Sequence, residues 1–91
     1  MNTIKLTYTK KTSNKYTLLT KVNGEIIGDR DYTGTKQDHE LYSKFVEYLQ
    51  MQINKELEDN PEFTFKNVDE FRAYANSSVQ REFLAYLDSQ K

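Results

Sequence analysis

The chain has 91 residues with 36% hydrophobic, 30% charged and 13% aromatic side chains, a polar composition with just enough large apolar surface for one thin core, so residues 1–91 are read as a single α+β domain. Absence of cysteine excludes disulfides, thiolate metal sites and cysteine nucleophiles, and the lone His39 leaves nothing for a histidine-based zinc centre or catalytic triad. The net charge of −1 hides an asymmetry: five of the 13 basic residues and none of the 14 acids fall in residues 1–24, which gives that segment +5 and the rest −6, a molecule expected to be polar from end to end.

Ile4, Leu6 and Tyr8 alternate with Thr3, Lys5, Thr7 and Thr9, the period-two pattern of a half-buried strand over residues 3–10. After the turn cluster Thr12-Ser13-Asn14, Tyr16, Leu18, Thr20 and Val22 alternate in the same way as a second strand. Asn23-Gly24 then signals a hairpin, and two loops compete. A two-residue loop pairs Val22 with Glu25 and Leu18 with Asp29, which turns Glu25, Asp29 and Asp31 onto the apolar face. A three-residue loop with Gly24 as a bulge pairs Thr20 with Ile26 and keeps Ile26, Gly28 and Tyr32 beside Leu18 and Tyr16. The second loop is preferred because it gives one apolar face, Ile4, Leu6, Tyr8, Tyr16, Leu18, Ile26 and Tyr32, with Arg30 at its margin. Ile27 then falls on the opposite face, which is otherwise mostly threonine and lysine.

Thr35 with Asp38 three residues on predicts a helix from about Lys36. Tyr42, Phe45, Val46, Leu49, Ile53 and Leu57 form one stripe down it until Asn60-Pro61 stops it. Leu41, Tyr48 and Met51 flank the stripe. Glu62-Phe63-Thr64-Phe65-Lys66 reads either as an extended connector or as a brief strand. Asn67 with Glu70, and Ser77 with Gln80, are capping pairs for two short helices, the last carrying Val79, Phe83 and Leu87 on one side and Leu84 and Tyr86 on others. Such an all-round apolar helix is expected to be sandwiched within the fold. The predicted architecture is a three-stranded antiparallel β-meander packed against one long helix, followed by two short C-terminal helices.

The glycines Gly24, Gly28 and Gly34 are scattered over a hairpin and a strand end, so no phosphate-cradling loop exists. Three strands before a helix is also the opening of the ribonuclease H fold, but the first strand has no carboxylate for a metal. Asp29, Asp31, Asp38 and Glu40 lack the spacing of a calcium loop. His39 is expected to be an exposed first-turn residue. No catalytic residue, metal site or cofactor is therefore expected, and the chain is read as a non-enzymatic binding protein. No apolar run reaches the roughly 18 residues of a membrane span and no signal-peptide core is present, so the expectation is a soluble, cytoplasmic protein without a membrane partner.

Two binding functions fit. Small size, an Asn/Lys/Tyr-rich composition and acidic helices behind a basic sheet look like the small anti-defence proteins of phages and mobile elements, the anti-CRISPRs among them. That resemblance implies an inhibitor of a host protein, itself a nucleic-acid binder, engaged through the acidic helical residues Glu47, Glu56, Glu58, Asp59, Glu62, Asp69 and Glu70. Three strands followed by a helix, with Tyr32-Thr33-Gly34-Thr35-Lys36 leading into it, resembles the arm-type DNA-binding domain of tyrosine recombinases over residues 3–57. That resemblance implies contacts from Lys5, Lys15, Thr17 and Lys21 on the sheet, whereas the helix carries Asp38, Glu40, Glu47, Glu56 and Glu58 and the sequence pI is near 5.8. Self-association through Tyr48, Met51 and Tyr86 is a third possibility.

Overall fold

A computed structural model describes residues 2–89, with Ser78 and Val79 by their backbone alone. Strands β1 (Ile4–Lys10), β2 (Lys15–Val22) and β3 (Glu25–Thr33) are followed by helices α1 (Lys36–Asp59), α2 (Val68–Ala75) and α3 (Ser78–Ser89). The fold is the expected α+β one: an antiparallel meander in the order β1-β2-β3, one long helix, and two short helices after it.

The β2–β3 hairpin combines the two loops weighed above. Asn23 and Gly24 both have positive φ, 53° and 84°, as a two-residue type I′ turn demands, and Val22 pairs with Glu25. A bulge then inserts Ile27 between the pairs Lys21↔Ile26 and Thr20↔Gly28. That one-residue slip returns Gly28, Arg30 and Tyr32 to the face of Thr20, Leu18 and Tyr16 and leaves Asp29 and Asp31 on the other. The expected pair Thr20↔Ile26 does not form, and the two isoleucines exchange roles. Ile26 is 57% exposed, while Ile27 is half-buried and packs against the core.

α1 begins with a complete capping box: the Asp38 N–H donates to the Thr35 hydroxyl at 3.2 Å and the Thr35 N–H to the Asp38 carboxylate at 3.0 Å. Its stripe Phe45, Val46, Leu49, Ile53 and Leu57 is buried against Ile4, Leu6 and Leu18 of the sheet. Gln50 ties the helix to the edge of β1. Its carboxamide accepts from the Leu6 N–H at 2.7 Å and donates to the Ile4 carbonyl at 2.8 Å, filling ladder positions that an edge strand otherwise leaves open.

Residues 62–66 form no strand; they are a connector that lays Phe65, buried, and Phe63, half-buried, against Phe71 and Tyr74. Asn67 caps α2 by accepting from the Glu70 N–H at 3.0 Å. Val68, the first residue of α2, lies so close to Gly28 that a β-carbon there would stand 2.6 Å from it. At the start of α3 the Gln80 N–H donates to the Ser77 carbonyl at 3.1 Å, and the Ser77 hydroxyl donates back to the Tyr74 carbonyl at 2.6 Å. The α3 helix is not sandwiched: Phe83 is buried between Phe45 and Tyr48, yet Leu84 and Tyr86 remain 54% and 43% exposed. The side chain of Val79, expected on the packed stripe, lies outside the described residues.

Candidate functional site

Where the sheet meets the start of α1, aromatic rings replace aliphatic packing. Tyr8 stacks on Tyr16 at 5.1 Å between centroids, Tyr16 on His39 at 4.1 Å, and Tyr42 lies 4.6 Å from Tyr32. His39 is buried here rather than exposed on the first turn as its sequence position suggested. Its Nε2 is 3.0 Å from the Asn14 carbonyl, which can only accept, so in the neutral ring Nε2 carries the proton and Nδ1 accepts from the Tyr8 hydroxyl at 2.7 Å. With both nitrogens engaged by backbone and phenol, His39 joins the β1–β2 turn to α1, a structural clamp. Burial, with Tyr16 and Tyr32 beside it, pushes the Tyr8 phenol up. Burial and then the hydrogen bond to Tyr32 do the same to Tyr42.

The acidic residues proposed from sequence are all exposed, but they do not form one patch. Glu56, Glu58 and Asp59 crowd the last turns of α1, and Glu62 follows in the turn beyond. That turn is pinned in place by Asn2, which donates to the carbonyls of Pro61, Glu62 and Phe63 at 3.1, 3.1 and 3.2 Å. Glu47 stands 11 residues before Glu58, about 16 Å along the helix at ~1.5 Å per residue, beside a groove with Tyr48, Met51 and Tyr86. Asp69 reaches Arg72 at 3.8 Å. The Glu70 carboxylate is occupied in accepting from the Lys66 N–H at 2.7 Å.

On the opposite side of the sheet Lys5 and Lys21 are direct cross-strand partners, and Thr9, Thr17 and Asp31 form one row. None of Lys5, Lys15, Thr17 and Lys21 is buried. The basic character is partly cancelled, since Asp31 accepts from the Thr17 hydroxyl at 2.7 Å and from Lys11 at 3.1 Å. Those two donors, the hydroxyl first, hold its carboxyl below the usual carboxylate range. The basic segment is spread along the sheet, with Lys5 and Lys21 toward one end of the β1–β2 pair and Lys10 and Lys15 toward the other. Asn2 bonds both to Asn23 of the hairpin and to residues 61–63, so the Lys5–Lys21 row and the acidic turn share one end of the molecule.

A third feature escaped the sequence reading. Arg30, expected at a sheet margin, and Arg72 line a single groove of about 400 Å³ with Tyr32, Tyr42, Phe71 and Phe83. The signal that could have found it was an arginine in cross-strand register with the buried Leu18.

No three His, Asp or Glu side chains gather as a metal-binding group among the described residues, and no described helix is long and apolar enough to cross a membrane. Compared with known proteins, the chain matches no family model, no curated protein and no solved structure.

Proposed function

We propose that this is a noncatalytic binding protein that presents the acidic end of α1 to a cationic surface on a protein partner, as an inhibitor of a host nucleic-acid-binding protein would. The observation that supports this reading is the charge at that end. Glu56, Glu58 and Asp59 stand at the negative pole of a 24-residue helix whose last turn contains no basic residue, and none of the three forms an ion pair among the described residues. Acids at a helix C-terminus oppose the macrodipole and cost about 0.3–1 kcal/mol each, so the arrangement works against stability. What it supplies is a cluster of carboxylates without ion-pair partners among the described residues, next to Glu62, whose carbonyl Asn2 holds, suited to contact with a basic groove. The alternative is DNA binding by the sheet. It draws on the uncovered face on which Lys5 opposes Lys21.

The test uses two assays on one set of proteins. Fluorescence anisotropy with labelled mixed-sequence duplex at low salt is expected to show no binding; binding that weakens steeply with salt would transfer the function to the sheet. Immobilised protein is expected to retain basic proteins that duplex DNA displaces and that an E56K/E58K/D59K variant does not retain. Equal capture by that variant removes the acidic end as the contact.

A further inference from the structure

The groove between β3 and the three helices combines charges and apolar surface in a way that neither binding surface above uses. Its floor is Phe45, Phe71 and Phe83, its rim includes the exposed Leu41 and Leu84, and Arg30 and Arg72 both border it. A volume of about 400 Å³ is that of a small-molecule site. Neither arginine has a strong partner. The Arg30 guanidinium lies 5.2 Å over the Tyr32 ring and takes part in no ion pair among the described residues, and Arg72 has only the 3.8 Å approach of the highly exposed Asp69. The one carboxylate bordering the groove, Asp38, is committed to Thr35, whose N–H and then hydroxyl lower its pKa. Tyr42 donates its hydroxyl proton to the Tyr32 oxygen at 3.0 Å, so the Tyr32 hydroxyl, also on the groove wall, has its own proton to give.

We infer that this groove binds a small amphiphilic carboxylate, with Arg30, Arg72 and the Tyr32 hydroxyl on the carboxylate and the phenylalanine floor on an aliphatic or aromatic body. Charge complementarity sets the ligand class. Two cations and a free donor over an apolar floor favour an anion with a hydrophobic tail, and planar guanidinium is the group best shaped for a carboxylate. An uncharged apolar molecule would leave both guanidinium groups without an acceptor.

Sodium decanoate, titrated as monomer into ¹⁵N-labelled protein and followed by two-dimensional NMR, tests the site against decan-1-ol and acetate. The expected result is saturable decanoate binding, with shifts at Arg30, Tyr32, Phe71, Arg72 and Leu84, at least about tenfold weaker binding of decan-1-ol, and none of acetate. R30Q/R72Q should weaken decanoate binding about tenfold or more. Leu84→Asp, at an exposed rim position that leaves the core intact, should weaken it independently of the arginines. Failure to saturate, equal affinity for the alcohol, shifts confined to the Tyr48–Met51–Tyr86 groove, or unchanged binding by a folded R30Q/R72Q protein would each overturn the inference. None of these outcomes bears on the acidic end of α1.

Discussion

Gly28 shows how one missing side chain positions a helix. It occupies the inner face of β3 opposite Thr20, and the absence of a β-carbon lets Val68 close the first turn of α2 onto the sheet. Gly28→Ala is therefore expected to destabilise by about 1–3 kcal/mol through overpacking. In urea denaturation the double variant G28A/V68A should be more stable than the sum of the two single losses predicts, by about 1 kcal/mol. Additivity to within about 0.5 kcal/mol would show that the two residues do not press on each other. His39 makes a related point. Its position in the first turn of α1, directly after the capping Asp38, reads as solvent-facing, and the stacked Tyr16 together with Tyr8 and Asn14, from 31 and 25 residues away, explains why it is buried.

At the scale of elements, most of what is regular was legible. The period-two runs located three strands, the three-and-four spacing located α1 and its core stripe, and Thr35 and Asn67 marked helix starts that form with the expected cap bonds. Ser77 also bonds back to the preceding helix, its hydroxyl donating to the Tyr74 carbonyl, a local side-chain-to-backbone bond that a capping pattern does not foresee. The unfavourable charges at the end of α1 lead to a separation of stability from function. E58K/D59K should raise the melting temperature by several degrees, since each change exchanges repulsion with the helix dipole for attraction worth about 0.3–1 kcal/mol. The same variant should lose partner capture. A lowered melting temperature in thermal circular dichroism would instead assign these carboxylates a structural task.

Considered whole, the molecule is a flat body of 37 × 31 × 17 Å whose aliphatic and phenylalanine core is bordered by half-buried tyrosines. Four of the seven tyrosines, Tyr8, Tyr42, Tyr48 and Tyr74, titrate above their ordinary range, in each case chiefly through burial. Tyr74 is pushed up to about 12, with Glu56 and Glu82 adding to the effect. A folded pKa above the unfolded value means that the neutral form is the one the fold favours. The stabilisation is complete below pH ~10 and is lost as pH rises through the folded values. Tyrosinate absorbance and far-ultraviolet circular dichroism, followed together from pH 9 to above pH 12, should show an early non-cooperative group of tyrosines and a later set that ionises as the secondary structure melts. Ionisation of all seven near pH 10 with the fold intact would contradict the burial.

By itself the amino-acid sequence determined the class and order of the elements, because periodicity, caps and the Asn-Gly turn are local and act over a few residues. It also identified the stripe that α1 buries. Tertiary structure alone decided that the hairpin corrects its register with a bulge at Ile27, that α3 keeps one flank in solvent, and that the acidic turn after α1 lies at the same end as Lys5 and Lys21. It likewise brought Arg30 of the sheet and Arg72 of α2 to one groove. Each of these depends on which distant surfaces meet and how closely they pack, and a small domain settles that by burying the most apolar area its one core allows.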